Sequence, residues 1–406
     1  MRRAEALLVT MISAPALAQL PPAVSLDEVL RIVQNSPRIV VSQREADAAR
    51  AERVAAGALL NPSLSVGRSR PSGGERTLFD ANALNQAQVE LPIPIFGQRA
   101  ARVRAAELQV GRAESQVRLT LSETKRQAAL EFVRLLTAQE QLAARRAALA
   151  EVERIRGLVA GRMDSGMASR YDLARAEVET ALAGLGVQRA EAEAAEHAAA
   201  LAALADAPGW RPTASGSLQS LQAANQPVDA DAALERNPTL RVARDDAALA
   251  EARIDVARRE RLPVPSVALG RSWTSGPFGA ANFVGISSEI PILDSKRALE
   301  DKAQAEAAAA RAGERAARAS LRAEYQRHLE TLRLRRAALS RFEKDVFERQ
   351  GAFLEMAESA YRLGRGTLFE LLDARRTQLE AATARLELIG AIVESQFELR
   401  ALAGEL

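Results

Sequence analysis

The strongest constraint on this chain is that it states its plan twice. Asn35-Ser36-Pro37 recurs as Arg236-Asn237-Pro238, each before an Ala/Arg/Asp-rich stretch. Pro62-Ser63-Leu64-Ser65-Val66-Gly67-Arg68 is answered by Pro265-Ser266-Val267-Ala268-Leu269-Gly270-Arg271. Glu90-Leu91-Pro92 has its counterpart in Glu289-Ile290-Pro291, and Gly166 with Asp172-Leu173 in Gly364 with Glu370-Leu371. The offset is 198 at both Gly166/Gly364 and Leu204/Leu402, and 203 at Pro62/Pro265. Matching landmarks in one order mark a duplicated unit. The reading is a first repeat over 19–207, a linker over 208–236 and a second repeat over 237–406.

Each repeat predicts a helix, a strand pair, a very long helix, a tight turn and a second long helix. Ser25 and Glu28 have capping-box spacing, and Ser36-Pro37 opens a helix that Asn61-Pro62 stops. Across 63–92 and 265–291 the helical period gives way to alternation: Leu64 and Val66 in the first repeat, Val267, Leu269, Arg271 and Trp273 in the second. Pro71-Ser72-Gly73-Gly74 and Gly276-Pro277-Phe278-Gly279 read as the hairpin turns. From Arg99 to Met163 there is no proline, enough for a helix of roughly 100 Å. Leu121, Ala128, Leu135, Leu142 and Leu149 fall seven apart, as do Tyr325, Leu332, Leu339, Val346 and Phe353, which predicts coiled-coil seams. Arg and Glu between the seams read as a solvated face with local ion pairs.

Composition excludes more than it suggests. The absence of Cys removes thiol nucleophiles, disulfide frameworks and the usual structural zinc sites. The two histidines, His197 and His328, are isolated, so no metal site and no cofactor is expected. No phosphate loop, metalloprotease helix or nucleophile elbow occurs, so the chain does not read as an enzyme. Arginine is interleaved with glutamate throughout, against nucleic-acid binding. Arg2, Arg3, the run Ala6–Ile12 and Ala16-Leu17-Ala18 have the form of a secretory signal over 1–18, cleaved before Gln19. No later apolar run reaches the ~20 residues that cross a bilayer as a helix.

The strand pairs therefore pose a question. Four strands are too few to close a membrane barrel, which needs at least 8, and open strand edges are not tolerated in lipid. Three chains would supply enough; a small soluble sheet is the competing reading.

The duplicated plan, Pro94-Ile95-Phe96-Gly97-Gln98-Arg99, Pro291-Ile292-Leu293-Asp294-Ser295-Lys296-Arg297 and the block from Tyr361 and Gly364 to Glu370, Asp373 and Arg375 resemble the TolC-type outer-membrane efflux proteins. The resemblance runs from about residue 25 to 404. It implies a mainly α chain with a small β part. It also implies a homotrimer with a periplasmic α-helical barrel and a 12-stranded outer-membrane β-barrel, four strands per chain. The Pro-rich 208–227 and a short helix over 229–236 would form an equatorial collar. The short length and the segments around Leu60–Gly67 and Phe96–Arg102 are closer to the cobalt–zinc–cadmium resistance branch than to the drug-efflux branch. Implied partners are a periplasmic adaptor, an inner-membrane pump of the RND type, and outer-membrane lipid. The implied function is a passive exit duct, with heavy-metal cations as the cargo implied by that branch; a soluble periplasmic coiled-coil or adaptor-like protein is the alternative. By the same resemblance Gly166, Gly364 and Gly366 mark the helix tips, and Asp172 and Tyr361 form a hydrogen bond closing them. Glu370 and Asp373 are the acids nearest the aperture, three apart on one helix face. Gly366 departs from the drug-export members, which carry a charged side chain there.

Overall fold

The computed structural model describes residues 20–70, 83–223, 234–274, 279–289 and 291–406. The expected signal over 1–18, the first hairpin turn, the second except Gly279, and most of the expected helix 229–236 lie outside these residues; 234–236 are helical.

The elements follow in chain order as β1 (Ala23–Val24), α1 (Leu26–Ile32), α2 (Pro37–Ala56), β2 (Ser63–Ser69), β3 (Leu84–Pro92), α3 (Gln98–Asp164) and α4 (Arg170–Leu204). After these come β4 (Thr213–Ala214), α5 (Leu218–Ala223), α6 (Pro238–Glu260), β5 (Pro265–Thr274), β6 (Ala280–Ser288) and α7 (Arg297–Phe342). A π-helical turn (Glu343–Phe347), α8 (Glu348–Arg362) and α9 (Leu368–Leu402) complete the chain. Local chemistry sets the boundaries. Ser25 and Glu28 close a reciprocal capping box on α1, and Asn237 caps α6 through its side-chain oxygen with Pro238 in the first turn.

The chain divides into two compact units. One holds described residues 34–126, 234–333 and 395–406. Here α2 packs on α3 through small residues, with Ala46, Ala49 and Ala113 buried beside Val110 and Val117. Ion pairs Arg50–Glu114 at 2.9 Å and Arg53–Glu107 at 3.2 Å flank that seam. Alanine lets the two backbones approach closely, which is why a chain poor in aromatic residues can build an interior from helices alone. Gly404, at φ +69°, sits where a Cβ would lie 2.7 Å from the Arg236 carbonyl oxygen, and the Asn237 side-chain amide donates to the Leu402 carbonyl at 3.0 Å. The end of α9 is thus tied to the start of α6.

This unit also carries an antiparallel sheet in the order β2-β3-β5-β6. The strand ends adjoining helices, Ser63, Pro92, Pro265 and Ser288, all lie along one side of it. Register places like with like. Leu91, Val267 and Ile286 form one row and Leu64, Val89, Leu269 and Val284 the next, all on one face. The other face carries Ser63, Ser65, Gln86, Gln88, Glu90, Ser272 and Ser287. The Glu90 carboxylate accepts from the Ser287 hydroxyl on that polar face. Leu64, Val66, Val284 and Ile286 are each at least 70% exposed, and β2 and β6 are unpaired edges. A solvated sheet normally buries its apolar face; here the apolar face is left uncovered.

The second unit holds described residues 20–33, 127–223 and 334–394. Phe132, Leu135, Leu136, Ile389, Ile392 and Val393 are nearly inaccessible. Gly390 takes part in that packing, since a Cβ there would lie 2.7 Å from Thr137 Oγ1. The region expected as a collar is pinned to α3. β1 pairs in parallel with β4, the Trp210 indole N–H donates to the Pro21 carbonyl at 2.9 Å, and Gln139 and Glu140 accept from the amides of Ala214 and Leu218, each at 3.1 Å. A two-residue strand pair is too short to show alternation, so the sequence gives no sign of it.

One seam departs from expectation. Tyr325, Leu332 and Leu339 are buried, but Val346 and Phe353 are 39% and 45% exposed while Leu354 is buried. The π-helical turn Glu343–Phe347 widens the helix by one residue, so the buried position moves from 353 to 354. Arg385 on α9 fastens it, donating to the Glu343 carboxylate at 2.8 and 2.9 Å with its guanidinium over the Phe347 ring at 4.9 Å.

Candidate functional site

The expected site residues gather at two helix turns in the second unit, built alike. α3 ends at Asp164; Gly166 takes φ +73°, and the Met167 amide reaches back to the Arg162 carbonyl at 2.8 Å. α8 ends at Arg362; Gly364 takes φ +70°, and the Arg365 amide reaches back to the Ala360 carbonyl at 2.9 Å. Both are left-handed C-caps, where glycine avoids the Cβ penalty. Each next helix opens with a reciprocal cap. The Asp172 amide donates to Ser169 Oγ at 3.1 Å while its carboxylate accepts from the Ser169 amide at 3.0 Å. The Glu370 amide donates to Thr367 Oγ1 at 3.2 Å while its carboxylate accepts from the Thr367 amide at 2.9 Å.

Among the described residues Asp172 and Tyr361 form no hydrogen bond with each other. The Asp172 carboxylate is committed to the Ser169 amide and hydroxyl, the latter at 2.7 Å, and these bonds hold it below the ordinary aspartate range, the hydroxyl bond contributing most. Tyr361 is engaged differently. The Arg162 guanidinium lies 4.5 Å above its ring and donates to its backbone carbonyl at 3.4 Å. The Tyr361 ring packs with Ala168 and Leu173 on a core of Ile155, Val159, Ala176, Leu368, Leu371 and Leu372, which joins the two helix hairpins.

Glu370 and Asp373 both lie on α9, as their spacing of three requires. Glu370 is exposed, and Asp373 pairs with Arg376 at 3.1 Å. Gly366 has a steric reason to be glycine: a Cβ would lie 2.9 Å from Ala360 Cβ and 3.2 Å from the Tyr361 amide nitrogen. The corresponding residue of the first turn is Ala168, so the two tips are not equivalent at this position.

Three arginines were hidden within the expected solvated face. Besides Arg162, Arg175 stacks over Phe369 at 4.8 Å. Arg375, whose side chain is only 16% exposed, reaches Glu151 on α3 at 3.1 Å and also Glu358 on α8. Their partners lie as far as 224 residues away, a distance no helical spacing rule reaches. Met167, Tyr171, Leu363 and Phe369 stay more than half exposed at the turns. Among the described residues, no three His, Cys, Asp or Glu side chains are placed to hold a metal ion, and no helix is long and apolar enough to cross a membrane.

A chain with a sheet bare on its apolar face and paired helical hairpins has known relatives. The cobalt-zinc-cadmium resistance protein CzcC of Cupriavidus metallidurans is 25% identical over 305 residues, 75% of this chain and 73% of that protein. The crystal structure of CusC, described with its folding and transmembrane channel formation, matches at a TM-score of 0.79 and 19% identity, covering 93% of this chain and 92% of that one. The CmeC outer membrane channel of Campylobacter jejuni matches at a TM-score of 0.79 and 16% identity, covering 94% and 85%. The outer membrane efflux protein model matches residues 30–207 and 230–405, nearly the whole described chain, and this chain therefore belongs to the outer membrane efflux protein family.

Proposed function

We propose that three copies of this chain form the outer-membrane exit duct of a tripartite efflux system, fed by a periplasmic adaptor and an RND-type inner-membrane pump. The observation that carries this is the four-stranded sheet with an exposed apolar face and two open edges. In lipid that face is stable and those edges are not, so the edges must pair with other copies; three copies give about 12 strands, within the range of closed membrane barrels. A soluble coiled-coil or adaptor-like role gives the bare apolar face nothing to do and is not favoured. The duct is passive: it has no catalytic step and no cofactor, and the pump energises transport.

The Gly166 and Gly364 turns are the periplasmic tips in this reading, and the aperture lies between them in the trimer. Glu370 and Asp373 then become two rings of three carboxylates, which draw cations and repel anions. Heavy-metal cations are the proposed cargo, supported by the relation to a cobalt-zinc-cadmium resistance protein. Tyr361 takes part in closure through its ring and its contact with Arg162, and Asp172 through the helix cap. The test is deletion of the gene in its native cell, followed by growth on graded zinc, cobalt, cadmium and hydrophobic drugs. Loss of metal resistance alone supports the proposal; loss of drug resistance alone replaces the cargo. Recovery of the protein as a soluble monomer instead of an outer-membrane trimer overturns the duct itself.

A further inference from the structure

The sheet sorts its charges by face. Among the described residues in or next to the strands, Glu90 on β3 and Glu289, just beyond the end of β6, have the strand parity of the polar face. Arg68 on β2, Arg70 just beyond its end and Arg271 on β5 have the parity of the apolar face. They are also confined to one end. Counting away from the helix-adjoining side, beyond the terminal pair Pro265–Ser288, the first two rows are wholly apolar: Leu91, Val267, Ile286, then Leu64, Val89, Leu269, Val284. The third row sets Arg271 and Asn282 beside Val66 and Ala87, and the fourth holds Arg68, Asn85 and Trp273. At roughly 7 Å per row, the guanidiniums begin where the apolar band ends. In the segments that join the strands to the helices, Leu59, Ile95, Ile292 and Leu293 are exposed as well.

Many other arginines of the same unit are neutralised by acids within the chain. Arg50, Arg112, Arg258, Arg261 and Arg311 are each paired with a carboxylate. Arg68, Arg70 and Arg271 are exposed and have no hydrogen bond or ion pair with any described residue. Trp273, 38% exposed, lies among them. Cations on the lipid face of a barrel are costly at mid-depth and tolerated at the interface, where Trp is also favoured. A guanidinium fork matches a phosphate in two parallel hydrogen bonds.

We infer that Arg68, Arg271 and Trp273, extended by Arg70, form a site on the outer wall of the barrel for the phosphate groups of outer-leaflet glycolipid. This rests on the sheet being the membrane wall with its helix-free end toward the cell exterior. The occupant is a phosphorylated lipid because the patch is continuous with the lipid-facing rows and opposite to phosphate in charge.

The test uses purified full-length trimer in neutral detergent, reading the temperature at which it dissociates to monomer. Bisphosphorylated lipid A should raise that temperature; dephosphorylated lipid A and inorganic phosphate should not. Arg68→Gln with Arg271→Gln should abolish the rise, with binding about tenfold weaker for each guanidinium lost, and Arg68→Lys with Arg271→Lys should keep part of it. If the Gln variant does not assemble, Arg271→Gln alone and mass spectrometry of lipid copurifying with the wild type decide the matter. An unchanged rise in the Gln variant, an equal rise with dephosphorylated lipid, or a rise with phosphatidylglycerol alone overturns the site. Failure of the wild type to reach the outer-membrane fraction instead overturns the wall on which it rests.

Discussion

Replacing Ile286 with arginine separates a membrane wall from a solvated sheet. Ile286 is 81% exposed and lies in the row Leu91-Val267-Ile286, so in water Ile286→Arg would remove an apolar surface residue at almost no cost. In the proposed barrel the same row lies deep in the hydrocarbon, where arginine on the lipid face costs about 2–4 kcal/mol per copy. Three copies make roughly 6–12 kcal/mol per trimer, comparable to the whole stability of an ordinary domain. The control is Gln86→Arg, an exposed position on the polar face of the same sheet, where the added charge faces an aqueous lumen. Both variants would be expressed at matched levels, the outer membrane fractionated, and heat-labile trimer quantified on gels, with urea midpoints for what assembles. Ile286→Arg should lose most trimer while Gln86→Arg stays near wild type. Equal tolerance of both, or greater damage from Gln86→Arg, would refute the assignment of faces and with it the membrane wall.

Further outcomes follow at the helix tips. Because Arg162 contacts the Tyr361 ring and backbone carbonyl, Tyr361→Phe should leave single-channel conductance in planar bilayers unchanged, whereas Tyr361→Leu and Arg162→Ala should populate the open state about two- to fivefold more. A rise with Tyr361→Phe alone would mean that the phenol hydroxyl holds the tip. Gly366→Ala should lower thermal stability by about 1–3 kcal/mol, since its Cβ meets backbone atoms that cannot rotate away; an unchanged Tm would show that the turn relaxes. The carboxyl of Asp172 is held low by Ser169, so its cap stabilises the tip above the ordinary aspartate range and is lost as pH falls through the lowered value. Hydrogen exchange in the first turn of α4, corrected for intrinsic rate, should therefore rise in strong acid in the wild type, and Ser169→Ala should show raised exchange already at neutral pH; flat profiles in both would sink the capping argument.

The fold was legible wherever its cause is local. Ser25 and Ser36-Pro37 act within one helical turn, so the starts of the first helices could be placed from the residues alone, whereas α2 ends at Ala56 with Gly57 as its C-cap, before the expected stop at Asn61-Pro62. Gly166 and Gly364 were recognisable because a helix reversing within a few residues needs a left-handed position. The acids beside them were visible as well, but their engagement was not. Asp172 and Glu370 satisfy the nearest unpaired amides, which favours local capping over a longer-range bond. Arg162 and Arg375 could not be separated from dozens of similar arginines, because what distinguishes them is a partner brought close by tertiary packing.

By itself the sequence determined the duplicated order of elements, the alternation that gives the sheet an apolar and a polar face, and the open question of how four strands could persist. Periodicity is a property of the chain, so those conclusions needed no coordinates. The tertiary structure decided the register that gathers Leu64, Val89, Leu269 and Val284 into one row and leaves β2 and β6 as edges. It also inserted the π-helical turn that shifts a buried seam by one residue, and it chose Arg162 in place of Asp172 as the partner of Tyr361. Each of these depends on which distant segments share a neighbourhood, and pairing energies between residues far apart in sequence leave no regular trace along the chain.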